Sequence, residues 1–148
     1  MGKTLIIVPA YQEEANIARV LRDIREHLPE SDILVINDGS TDQTATRAQE
    51  MGVKVLDLPY NMGIGAAVQT GFRYAHERDY SQVLQIDGDY QHPAQEARRL
   101  LQVLQDNQAD MVIGSRFIKP TGYQGSWVRR LGNRLFQWVN GVSRPPQV

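Results

Sequence analysis

The sequence has no cysteine, which excludes disulfides and thiolate metal sites and suits a reducing compartment such as the cytoplasm. It has no apolar run near the ~18 residues of a membrane span, and its first residues lack a signal-peptide pattern. There is no Walker lysine motif, which argues against a P-loop nucleotide hydrolase. No serine stands near a histidine–aspartate constellation, so a hydrolytic triad has no support. Histidine is scarce as well. His27 and His76 fall late in helical patterns and read as surface residues, while His92, beside Pro93, reads as capping or packing before it reads as a metal ligand. Acidic side chains stop at Asp110.

What remains is a chain of 148 residues, 41% hydrophobic and 22% charged, enough for one soluble domain with a real core. The net charge of −1 conceals a division. Residues 1–110 carry 10 basic and 17 acidic side chains, and residues 111–148 carry 6 basic ones and no acid. A basic end beside an acidic body suits an anionic partner such as phosphate or a lipid headgroup; a solvated helix face is the alternative. Nothing here points to nucleic acid, and a homo-oligomer is compatible with the pattern.

Short β-rich apolar runs alternate with helical patterns. Strands are expected at Thr4–Val8, Ile33–Asn37, Val53–Leu58, Val83–Asp87 and Met111–Gly114. Between the first two, Ile17, Val20, Leu21, Ile24 and Leu28 share one helical face, which Pro29 ends. A second helix is expected after Ser40, which makes a capping-box spacing with Gln43. A third spans about 65–78, with Ala66, Ala67 and Gly71 small enough for close packing on a sheet. The fourth starts at Pro93 and turns Ala97, Leu100, Leu101 and Leu104 inward. This order predicts a doubly wound, mostly parallel α/β domain with helices on both faces, binding its ligand at the carboxyl ends of the strands.

The segments that could carry chemistry fall at those ends. Asp87-Gly88-Asp89 follows an apolar strand, and two carboxylates one residue apart can hold a hard divalent cation shared with substrate phosphates. Acid-Gly-acid is also common turn chemistry. After the first strand, Tyr11 could lie against a planar base or ribose and Glu13 accept a ribose hydroxyl, or the acids could simply favour a helix amino terminus. Asp38 could accept from a nucleobase or ribose, or open a turn. Gly63-Ile64-Gly65 is not a dinucleotide fingerprint, because it follows the third strand and Val68 occupies the third glycine position. It reads as a tight turn after Asn61 with a helix amino terminus near the ligand.

Together, Val8-Pro9-Ala10-Tyr11 with Glu13 and Asn16, Asn37-Asp38-Gly39-Ser40-Thr41-Asp42, Asn61-x-Gly63, Asp87-Gly88-Asp89 and Gly114-Ser115-Arg116-Phe117 resemble a family 2 glycosyltransferase of the GT-A fold. The resemblance covers residues 4 to about 118, a nucleotide-sugar-binding domain of residues 1–118 followed by residues 119–148. Asp-x-Asp-x-Gln-His-Pro is similar to the polyprenyl-phosphate group, the dolichyl-phosphate mannosyltransferase type. The resemblance implies that Pro9, Tyr11, Glu13, Ile36 and Asp38 line the nucleoside pocket. It implies that Asp87, Gly88 and Asp89 meet the ribose and the diphosphate of a GDP- or UDP-sugar through Mg2+ or Mn2+, with Gln91 a further ligand. Arg116 would face phosphate and, with Asp89, serve catalysis.

Family members continue into an acceptor-binding half with a Thr-Ser-Gly-Phe-Arg-like segment that does not occur here, so a truncated homologue or fragment is expected. Residues 119–148 carry an amphipathic stretch with Val128, Leu131, Leu135, Phe136 and Val139 among Arg129, Arg130 and Arg134, suited to peripheral contact at the cytoplasmic face of a membrane. In the family this chain resembles, the base for a hydroxyl acceptor comes from the later part of the domain, and no acid follows Asp110. The resemblance then implies a phosphate acceptor, whose second pKa of ~6 leaves it anionic, while truncation accounts for the same absence. The competing reading is a non-catalytic nucleotide-sugar-binding module. A nucleotidyltransferase would want a basic glycine-rich loop where Pro9–Glu14 is acidic.

Overall fold

The computed structural model describes residues 3–91, 93–106 and 109–114. Strands and helices alternate as β1 (Thr4–Ala10), α1 (Ile17–His27), β2 (Asp32–Asn37), α2 (Thr44–Glu50), β3 (Lys54–Asp57), α3 (Ile64–His76), β4 (Gln82–Gln85) and α4 (Ala94–Asp106). The four strands are all parallel, in the order β3-β2-β1-β4. The chain steps outward from β1 through β2 to β3, then returns to the other side of β1. That reversal leaves a crevice beyond the carboxyl ends of β1 and β4, where open α/β sheets take their ligands.

The unbroken apolar run of β1 is explained by burial on both sides. Ile6 and Val8 pack with Val35, with Ile17, Val20, Leu21 and Ile24 of α1, and with Ala48, Ala94 and Ala97 of α2 and α4. Leu5 and Ile7 point the other way, with Leu34 and Ile36, onto Ala67 and Ala75 of α3. Each large side chain so buried stabilises the fold by ~1.5–3 kcal/mol. The expected small-residue face of α3 is there. A Cβ on Gly71 would lie 2.9 Å from Ile7 Cγ2 and 3.1 Å from Ile36 Cδ1, so the helix rests on the sheet at the distance a glycine allows.

Three expectations need correction. Met111–Gly114 forms no strand. Met111 and Ile113 are 75% and 73% exposed, and so short an apolar run carries no periodicity that separates strand from loop. Ser40 does not cap α2, which starts at Thr44; the Ser40 hydroxyl instead accepts from the amide of Gln12 at 3.0 Å, a bond to another loop. Finally, β4 ends at Gln85, so Ile86 and Asp87 lie beyond it. The cause is Pro9. In a parallel ladder the residue at that register would donate to the Ile86 carbonyl, and proline has no N–H. Past the last ladder pair, Ile7–Gln85, only two bonds continue among the described residues, Ile86 N to Ile7 O at 3.1 Å and a long one from Gly88 N to Pro9 O at 3.3 Å.

Candidate functional site

The carboxyl edge is built from four loops tied to one another. The loop after β1 is stitched to the loop after β2. Besides the Gln12–Ser40 bond, the Gln12 side-chain amide donates to Thr41 Oγ1 at 2.8 Å and the Glu13 amide to Thr44 Oγ1 at 2.8 Å. The Glu14 amide donates to Asp42 Oδ2 at 3.2 Å, and its carboxylate accepts from the Gln43 amide at 3.0 Å. Thr44 is fully buried, the hub of this junction. Its amide donates to Asp42 Oδ1 at 3.0 Å, an Asx-type turn that leads into α2, whose N-cap residue is Gln43. Burial pushes the Asp42 carboxyl up, but the Thr44 hydroxyl and the amides of Thr44 and Glu14 together hold it below its ordinary value. The signal for this turn was present in the sequence, as Asp-x-Thr two residues after Ser40.

The loop after β2 is in turn locked to the loop after β3. Asn37, 5% exposed, donates to Asp57 Oδ1 at 2.8 Å and accepts from the Ser40 amide at 3.2 Å. Asp38, 3% exposed, accepts from the amides of Met62 at 2.7 Å and Gly63 at 2.9 Å. Gly63 is the residue before α3, so the Asp38 carboxylate sits at that helix's positive end. The turn after Asn61 is as expected, with Asn61 Oδ1 accepting from the Gly63 amide at 3.0 Å. The phosphate-attracting amides there already hold a carboxylate of the chain itself. The two loops approach so closely that a Cβ on Gly39, at φ +69°, would lie 2.4 Å from the Tyr60 carbonyl carbon.

The loop after β4 leans on β1. A Cβ on Gly88 would meet Pro9 O at 3.2 Å and the Ala10 Cβ at 3.3 Å. Asp87 and Asp89 flank this contact, half-buried. Asp87 Oδ1 accepts from the Gln85 side-chain amide at 2.9 Å, and Asp89 Oδ1 from the Gln91 backbone amide at 3.0 Å. Tyr90, at φ +61°, lies beneath the Arg19 guanidinium, 3.7 Å from its ring centroid. The end of the loop is held by Asp23, whose Oδ2 accepts from the Ala94 amide at 2.8 Å. Arg19, Asp23 and Thr44 were not singled out from the sequence, because each acts across 20 or more residues.

Of the candidate residues, Pro9, Tyr11, Glu13, Asp38, Asp87, Gly88, Asp89 and Gln91 all lie at the carboxyl edge of the sheet. Tyr11 is 46% exposed there. The Glu13 carboxylate accepts from the Asn16 side chain at 2.9 Å. Ile36 is fully buried and packs toward α3, next to the site and within the core. Arg116, His92 and the basic stretch of 128–139 lie outside the described residues. Two concavities, of about 460 Å³ between α1 and α2 and about 380 Å³ at the amino ends of β1, β2 and β3, lie away from this edge. The paired carboxylates and the strand-order reversal coincide at the edge and at neither concavity.

The donor set at β4 fits a hard cation in part. Asp87, Asp89 and Gln91 offer only oxygen donors from their side chains, the chemistry Mg2+ or Mn2+ requires. Among the described residues no group of three His, Cys, Asp or Glu side chains is placed to hold a metal by itself. Such a cation would therefore draw its remaining ligands from water and from the phosphates of a bound nucleotide.

A parallel α/β domain with a reversal in strand order, and with an exposed aromatic ring and paired carboxylates on one edge, has the architecture of open sheets that take ligands at the strand tips. The model of Glycosyl transferase family 2 matches residues 5–144, and the chain belongs to that family. It is 38% identical over 145 residues to an undecaprenyl-phosphate mannosyltransferase of Micrococcus luteus, covering 95% of this chain and 58% of that protein. It is 35% identical over 131 residues to a polyprenol monophosphomannose synthase of Mycolicibacterium smegmatis, covering 84% of this chain and 49% of that protein. The chain thus spans about half the length of the curated relatives it matches. Among solved structures, glucosyl-3-phosphoglycerate synthase of Mycobacterium tuberculosis, in complex with Mn2+, UDP and its product, matches at a TM-score of 0.57 and 27% identity. That match covers 70% of this chain and 39% of the other. The GT-A expectation for the fold is borne out.

Proposed function

We propose that this chain binds a nucleotide-diphosphate sugar at the carboxyl edge and moves the sugar to an acceptor, a polyprenyl phosphate. The observation that carries the reading is the seating of Asp87-Gly88-Asp89 against Pro9 and Ala10, at the strand-order reversal, on the edge that also bears Tyr11 and Asp38. Tyr11 lies against the base, and Glu13 meets a ribose hydroxyl. Asp38 shapes this pocket from below by fixing the Met62–Gly63 turn, and its remaining lone pairs can accept from the base. Asp87 and Asp89, with Gln91, hold the divalent cation. When bound, that cation neutralises the charge that grows on the leaving diphosphate. Arg116 supplies a second positive charge to phosphate.

The acceptor class rests on the two relatives named for polyprenol and undecaprenyl-phosphate substrates. A lipid phosphate is anionic at neutral pH, so attack on the anomeric carbon needs no general base. Contact with a membrane face would then fall to the basic stretch of 128–139; among the described residues no helix is long and apolar enough to cross a membrane. The test is donor affinity with and without Mn2+, alongside transfer to a lipid phosphate. Asp89→Ala should abolish the Mn2+-dependent part of GDP- or UDP-sugar binding and leave the fold intact. Unchanged binding in that variant refutes the cation site, and binding without turnover in the wild type favours a non-catalytic module.

A further inference from the structure

We propose that Arg19 and Asp23, both on α1, are positioning residues that set the aim of the Asp89 carboxylate; the inference rests on the cation site proposed above. Past the long Gly88–Pro9 bond, the described residues from Asp89 to Ala94 make no ladder bond to the sheet, for the reason Pro9 supplies. The segment is gripped at three points instead. Gly88 is pressed against Pro9 and Ala10 at one end. Asp23 binds the Ala94 amide at the other, and His27 Nδ1 lies 2.9 Å from the backbone carbonyl oxygen of the same residue. In the middle stands Tyr90, whose φ of +61° is unfavourable for any side chain with a Cβ. Its ring is held between the Arg19 guanidinium and the core formed with α1.

That held turn has a chemical consequence. It brings the Gln91 amide to Asp89 Oδ1 at 3.0 Å, which fixes the rotation of the carboxylate and commits its second oxygen to one direction. A carboxylate fixed before the cation arrives loses less freedom on binding it. Neither Arg19 nor Asp23 needs to touch nucleotide or cation to do this. They act through Tyr90 and Ala94.

The experiment measures GDP and UDP affinity of the chain by equilibrium dialysis, in Mn2+ and in EDTA, together with thermal melting. Arg19→Gln should reduce the Mn2+-dependent gain in affinity by about two- to five-fold, the scale of a cation–π contact. The affinity in EDTA should stay at the wild-type value, and the melting temperature should fall by no more than a few degrees, the scale of the one contact removed. Arg19→Lys should restore part of the gain. Tyr90→Gly removes the ring while tolerating the positive φ, so a loss of Mn2+ gain there reports on aim and not on backbone strain. A wild-type gain in both Arg19→Gln and Tyr90→Gly overturns the inference while the cation site stands. A gain that survives in Asp89→Asn overturns the cation site and this inference with it.

Discussion

Gly39→Ala tests the most specific packing statement the structure makes. Two glycines with nearly the same backbone angle provide a matched pair: Gly39 at φ +69° and Gly52 at φ +66°. An alanine at either one adopts a left-handed conformation, at ~1–2 kcal/mol, partly offset by ~0.4–1 kcal/mol from a less flexible unfolded chain. At Gly52 that is the whole effect, because the nearest atom to the new Cβ is Arg25 Nη2 at an ordinary 3.7 Å. At Gly39 the new Cβ falls 2.4 Å from the Tyr60 carbonyl carbon, 2.6 Å from the Asn61 nitrogen and 2.7 Å from the Tyr60 Cα. These are backbone atoms, so no rotamer change relieves the overlap, and the loop after β3 must retreat by about 1 Å. The retreat strains the bonds from Met62 and Gly63 to the buried Asp38 carboxylate. We expect Gly39→Ala to lose ~2–4 kcal/mol more than Gly52→Ala. Urea unfolding at constant m-value measures the difference, and nucleotide affinity should fall with it if Asp38 and its loop shape the base pocket. Equal losses in the two variants would refute the close approach of these loops.

Gly71→Ala should cost less than Gly39→Ala, because the overlapping atoms are the mobile ends of Ile7 and Ile36 and alanine favours the helix; the same urea series ranks them. Asp42 has a folded-state pKa below its ordinary value of 3.8, so its contribution to stability is present above that pH and is lost as pH falls through the lower value. Thr44→Ala should therefore flatten the loss of stability below about pH 4, read by acid titration of the circular dichroism signal. Burial, then the bond its hydroxyl donates to Asp32 at 2.7 Å, pushes Tyr80 up to about 12. Its stabilising effect is complete below pH ~10 and lost as pH rises through the folded value, and Asp32→Asn should lower the phenolate transition seen in the near-ultraviolet. A Tyr80 transition unmoved by that substitution would discount the Asp32 bond.

The parallel sheet was legible because strands buried on both faces must be apolar throughout, and Leu5–Val8 and Leu34–Ile36 are. The site's location was legible for a related reason. Tyr11, Asp38 and Asp87-Gly88-Asp89 each follow such a run, so a parallel arrangement obliges them to share one edge. The errors have a common origin. Ser40 matched a local capping pattern, but its hydroxyl finds its partner 28 residues earlier in the chain, at Gln12. Met111–Gly114 had a strand's composition and no partner strand among the described residues.

By itself the sequence determined which residues must be inside, the alternation of strand and helix, and the set of acids on the ligand edge. These follow from hydrophobic periodicity and from proline and glycine, which act locally. Only the tertiary structure decided how the acids are used. It assigns Asp42 to the turn before α2 and Asp38 to the turn before α3, and places Asp87 and Asp89 together on the loop after β4, beside Pro9. A carboxylate's role depends on which amides and cations come within ~3 Å of it, and those belong to segments distant in the chain.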